Sequence, residues 1–144
     1  MEETERDFTE DDSGPITNAE IGYIQELGSP ARNIPARPFL RPGVWRNENE
    51  IVRRLKKAAN FTFMGRRGEV TKQYNAIGLV AQHGAKNIIR EGIEPPLAEY
   101  TLQKRRERGR TGEKPLYDTG QLVNSIDYVI RRSDRYKNAN SKRK

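Results

Sequence analysis

The chain has 144 residues, a formal net charge of +7, no cysteine and one histidine. Disulfides and thiolate metal centres are therefore excluded, as are a multi-histidine zinc site and a Cys–His nucleophile pair. Only 33% of residues are hydrophobic against 33% charged, so this one-domain length must fold around a thin core and leave part of its burial to partner subunits.

The charge is unevenly spread. Residues 1–12 hold seven acids and one base, whereas residues 131–144 hold seven bases against one acid, Asp134. Ends of opposite sign suit head-to-tail contact between copies, or contact with different neighbours. The acidic segment 1–15 has one aromatic, Phe8, and a composition that does not fold alone. It has no apolar stretch of the kind a signal peptide needs. No run of about 18 apolar residues exists either, so no membrane contact and a soluble, cytosolic product are expected.

From Ile16 to Gly28 the sequence predicts a helix. Thr17 and Glu20 form a capping box, Ile16 and Ile21 a hydrophobic staple, and Gly28 the C′ position. Ser29 to Gly43 carries four prolines, which predict an extended, stiff arm with Ile34, Phe39 and Leu40 as apolar anchors. Arg32, Arg37 and Arg41 flank those anchors. Such an arm is either a packed connector or a strap across a neighbouring subunit.

A second helix is expected from Val44 to Ala59, with Trp45, Ile51 or Val52, Leu55 and Ala59 on one face. Asn60 to Gly68 reads as a break, with Phe61 and Phe63 alternating as in a short strand. The turn Gly65-Arg66-Arg67-Gly68 is basic, and solvation is the better account of it. The longest helix is predicted over Glu69 to Glu91. Val70, Tyr74, Ile77, Ala81, Gly84 and Ile88 form its apolar line. Leu79 lies on the opposite, polar face and is a candidate subunit contact. His83 shares that face as a solvated residue.

A turn at Gly92 to Pro96 precedes a short helix from Leu97 to Arg108. Lys104, Arg105, Arg106, Arg108, Arg110 and Lys114 form a basic cluster there. Next, Asp118 reads as an N-cap, Gln121 as its capping-box partner, and Tyr117 with Leu122 as a staple, predicting a helix over Thr119 to Ser125. After it Ile126, Tyr128 and Ile130 alternate with Asp127, Val129 and Arg131, the pattern of a strand.

No P-loop, dinucleotide turn or metal-ligand cluster is present, and the Asp11-Asp12 pair sits where nothing tunes it. Enzymatic activity, a cofactor and a metal are not expected.

The segment Lys114 to Ile126, "KPLYDTGQLVNSI" followed by Asp127 and Tyr128, resembles the C-terminal signature of the tail-completion and head–tail joining proteins of tailed bacteriophages, the virion-morphogenesis, minor-tail or neck proteins. Asn33 to Pro42, "NIPARPFLRP", is similar to a second motif of that family, which follows a short helix ending in Gly. Pro95-Pro96-Leu97-Ala98 with Thr101 and Lys104 is a third, weaker match. The three occur in the family's order across residues 18–130.

The resemblance implies a structural, catalytically inert virion protein, assembled in the host cytoplasm. Copies of it would close a ring, a hexamer by preference, that completes or terminates the tail. That ring would join the tail tube or sheath proteins to the head connector and adaptor proteins. Packaged DNA would pass its lumen non-specifically. Candidate subunit or partner contacts are Ile34, Arg37, Phe39, Leu40, Arg41, Leu79, Tyr117, Asp118 and Gln121. Arg105, Arg106, Arg108 and Arg110 are candidates for facing DNA.

The expected fold is α+β and mostly helical, one domain over residues 16–132 between the acidic arm 1–15 and a basic tail 133–144. A small antiparallel β-sheet would include Ile126 to Arg132 and either Ala36 to Leu40 or Asn60 to Phe63. Its open edges and the extended arms and termini would pack on neighbouring subunits. The alternative is a small basic nucleic-acid-binding protein using 104–114 and the C-terminal tail. Its affinity would fall steeply with salt, though those basic runs lack the interleaved aromatics that base stacking needs.

Overall fold

A computed structural model describes residues 16–116 and 118–131; the acidic arm, the basic tail and Tyr117 lie outside the described residues. Six helices follow one another: α1 (Asn18–Leu27), α2 (Leu40–Trp45), α3 (Glu48–Phe63), α4 (Arg67–Glu91), α5 (Glu99–Glu107) and α6 (Gln121–Ser125).

The expected sheet is absent. Among the described residues no strand forms, and β-type pairing is confined to one antiparallel bridge between Ser29 and Ile34. Each proposed strand has a physical reason to be something else. Residues 60–63 are the last turn of α3, where Thr62 donates its hydroxyl to the Ala58 carbonyl. Residues 36–39 pair with no strand and lead into α2. Residues 126–131 form no strand either; Ile126 and Tyr128 are held by side chains of α4. Gln82 Nε2 donates to the Ile126 carbonyl at 2.9 Å, and the Tyr128 hydroxyl meets Asn75 Oδ1 at 3.1 Å. The Tyr128 ring lies directly over Gly78, where a Cβ would come within 2.2 Å of it. Alternating apolar residues therefore mark a strap seated on a helix, not a strand in a sheet.

Helix α1 starts as its residues dictate. The Thr17 hydroxyl accepts from the Glu20 amide, and the Glu20 carboxylate accepts from the Thr17 amide at 2.7 Å. Gly28 ends it at φ 75°. The stiff extended arm is only partly realised. Residues 29–34 close a tight loop around a 3₁₀ turn at Pro30–Arg32, with Asn33 in the left-handed region. From Ile34 the chain runs back along α1, where the Arg37 amide donates to the Gln25 carbonyl at 2.7 Å.

Helix α2 interrupts what reads as arm followed by a single helix. Its first turn has three amides to satisfy, because Pro42 has none. All three, from Phe39, Leu40 and Arg41, donate to the Glu26 carboxylate at 2.8–3.1 Å. A carboxylate at a helix N-terminus also complements its dipole. The cap is supplied from α1, thirteen to fifteen residues upstream, where no local pattern would place it.

Helices α3 and α4 are joined by three residues and pack against each other as a hairpin, and α2 packs across α4. The α2–α4 crossing is a backbone contact. A Cβ on Gly84 would lie 2.2 Å from the Gly43 carbonyl oxygen, and one on Gly43 would lie 2.5 Å from the Ala85 nitrogen. Asn47 Nδ2 donates to the same Gly43 carbonyl. The core sits beside this crossing: Phe39, Ala85, Ile88, Ile89 and Val123, with Ile93, Leu116 and Ile126 packed on its margin.

Candidate functional site

Three stretches far apart in the sequence meet around α1 and α5. Arg37 is 7% exposed, and its guanidinium donates from Nε to the Pro95 carbonyl at 2.8 Å and from an Nη to that of Pro96 at 2.9 Å. Burial pushes its pKa down from the usual arginine range. Phe39 enters the core cluster that also holds Val123 of α6, and Gly22 of α1 leaves room for Phe39 and Leu122. Arg105 of α5 is buried; its Nη1 holds the carbonyls of Gly112 and Lys114 at 2.8 and 3.1 Å, fixing the loop that leads to α6. Lys114 in turn donates to the Arg90 carbonyl at the end of α4.

Asp118 does not cap α6. The N-cap is Gly120, and no side chain caps there, although Thr119 Oγ1 accepts weakly from the Gln121 amide at 3.3 Å. Two arginines claim the carboxylate instead. Arg110 Nη1 lies 2.7 Å from Asp118 Oδ2, and Arg105 Nε lies 3.7 Å from Oδ1. The two guanidinium groups offer the carboxylate full positive charges where a cap offers one amide dipole, and the helix starts only at Gln121.

These residues wall a groove of about 280 Å³, open on one side. Its cations are Arg37, Lys104, Arg105, Arg108 and Arg110, its one carboxylate is Asp118, and Ile21, Leu97, Leu116 and Leu122 supply apolar surface. Lys104 pairs at the surface with Glu107. Arg108 is exposed and has no ion pair among the described residues. Arg106 points elsewhere, to Glu99. Nothing in the groove forms a nucleophile–base pair, and no cluster of acids or histidine able to hold a metal occurs among the described residues.

The candidate contact residues divide by burial. Leu40, Arg41, Leu79 and Gln121 are exposed; Ile34 and Asp118 are half-buried; Arg37 and Phe39 are spent inside the chain; Tyr117 lies outside the described residues. Of the candidate DNA-facing arginines, Arg106 and Arg108 are exposed, Arg110 is half-buried and Arg105 is buried.

The apolar face expected on the second helix turns out to be an open surface rather than a core contact. The apolar face of α3 looks outward: Val52, Leu55, Ala59 and Phe63 fall within about 80° of arc at 100° per residue, and all four are exposed, Phe63 to 90%. They form a stripe about 17 Å long, continued by exposed Met64. The inward side of α3 is Ile51, Arg54, Ala58 and Phe61, one or two positions earlier in each turn. Carrying the helix through to Phe63 is what reveals the stripe.

Comparison of the chain with protein-family models, with curated proteins and with solved structures finds no match.

Proposed function

We propose that this chain is a structural protein of the phage virion neck, forming a ring that completes the tail and joins it to the head connector. The observation that carries the reading is the convergence of the three motif segments. Residues 33–42, 95–98 and 114–126 are separated by up to about eighty positions, yet they come together through Arg37 on the Pro95 and Pro96 carbonyls and through Phe39 and Val123 in one core cluster. Chance matches to short motifs carry no requirement to touch, whereas pieces of one ancestral fold do. The α3 stripe supplies a surface of the kind subunits bury on assembly. Ring contacts, the connector, the tail tube or sheath and DNA in the lumen are the partners of this reading.

The basic cluster favours a nucleic-acid role less in three dimensions than in one, since Arg105, Arg106 and Arg110 are engaged by the chain's own carbonyls and carboxylates. The test is the mass of the purified protein in solution, with and without duplex DNA, at low and moderate salt. A closed oligomer that persists as salt rises is expected. A monomer that binds DNA with a steep salt dependence overturns the reading in favour of a nucleic-acid binder.

A further inference from the structure

We propose that the cationic groove between α1, α5 and residues 110–122 is a site for an acidic peptide, and that residues 2–12 of the same chain occupy it. The groove is lined by five cations and one carboxylate; Asp118 is shared by Arg105 and Arg110 and Glu107 pairs with Lys104, so the surplus of positive charge centres on Arg37 and Arg108. Two of the cations, Arg37 and Arg105, are buried in its wall, so charge is presented from inside the cleft and not only at its rim. Arg37 is bonded to carbonyls, which leave its full positive charge uncompensated. The Gln25 side chain lines the groove with a buried terminal oxygen that has no hydrogen-bond partner. A groove of about 280 Å³ admits side chains of an extended peptide and is far too small for a duplex.

The occupant is argued from the sequence and the connectivity. Residues 2–12 carry Glu2, Glu3, Glu5, Asp7, Glu10, Asp11 and Asp12 against Arg6, a surplus that matches the groove in sign. Phe8 lies among them, and the groove offers Ile21, Leu97, Leu116 and Leu122. The segment is joined at Ile16 to α1, whose own Ile21 and Gln25 form one wall. Eight extended residues from Ile16 to Phe8 reach about 27 Å, ample to enter the groove. A tether this short gives an effective concentration in the millimolar range, which favours the chain's own segment over a competitor in solution.

The experiment uses the full chain, which has no native cysteine. Spin labels on Thr9→Cys and Gln103→Cys, the latter on α5 outside the groove lining, report their separation by pulsed dipolar spectroscopy. At low salt a narrow, short distance distribution is expected. It should persist when labelled protein is co-assembled with excess unlabelled protein. It should be lost when the seven acids are changed to their amides, and lost again in a Lys104→Glu/Arg108→Glu pair with an unchanged melting curve. A broad distribution in the otherwise native chain overturns the proposal. So does a narrow peak that vanishes on dilution, which places the segment in a neighbouring copy, or one that survives both sets of charge changes. None of these outcomes depends on whether the protein forms a neck ring.

Discussion

The Arg37 guanidinium ends on two proline carbonyls, and no other side chain replaces it there. A lysine is a point charge on a flexible stem and cannot hold two acceptors in one plane. Each charge-assisted bond lost from a buried position costs about 1.5–3 kcal/mol. Arg37→Lys should therefore lower stability by about that amount, read as a reduced midpoint in urea with an unchanged slope. Glu20 shows a charge effect of another kind. Its pKa is held below the ordinary glutamate range, chiefly by the backbone amide of Thr17 and then by the Thr17 hydroxyl. A carboxylate depressed in the folded state stabilises above its unfolded pKa and loses that contribution as pH falls through the folded one. Helix content at the start of α1 should thus be lower in Thr17→Ala than in the native chain near neutrality. The difference should shrink as pH drops below the glutamate range, and a pH-independent difference in circular dichroism would count against it.

Among the elements, the helices whose starts or faces are written locally are the ones the sequence places well. Thr17-Asn18-Ala19-Glu20 starts α1 by itself, and the apolar line of α4 from Ile77 to Ile88 does face inward. Helix α2 has neither aid. Its cap comes from Glu26, and its position from the contact of Gly43 with Gly84. Two backbones this close leave no room for a methyl group. Gly84→Ala must push α2 off α4, and since the atom it meets is a backbone oxygen, the cost should reach or exceed the roughly 1–3 kcal/mol of ordinary overpacking. A melting temperature unchanged in that variant would show that the crossing is looser than described. The misread strand has the same origin. Period-two alternation over Ile126 to Arg131 reports an extended chain with one face down, and it is silent on whether a strand or a helix lies beneath.

At the scale of the whole molecule, the thin core foreseen from composition is seen in how little apolar surface is fully buried: seven hydrophobic side chains among the described residues. Much of the remainder is displayed. Trp45 is 69% exposed, and the α3 stripe of Val52, Leu55 and Phe63 stays open to solvent among the described residues, Phe63 most of all. Water contact at such a stripe costs free energy in proportion to its area, so association that covers it is favoured. Phe63→Glu with Leu55→Glu should convert an oligomer to monomers without lowering the monomer's own stability, because neither side chain supports the core. Sedimentation paired with a melting curve separates the two effects. An oligomer that survives the double change would move the subunit contact to another face, such as that of Leu79.

By itself the sequence determined what is local: the α1 capping box, the long α4, the short α5, the proline-rich connection and the sign of charge along the chain. Hydrogen bonds within three or four residues and helical periodicity suffice for each of these. Only the tertiary structure decided the rest. It moved Asp118 from a helix cap to an arginine clamp, turned Arg37 and Phe39 inward, and seated Tyr128 on Gly78 instead of in a sheet. Those outcomes are competitions between a nearby partner and a distant one. A side chain's local options are visible in its neighbours, but the stronger distant partner exists only once the chain has folded.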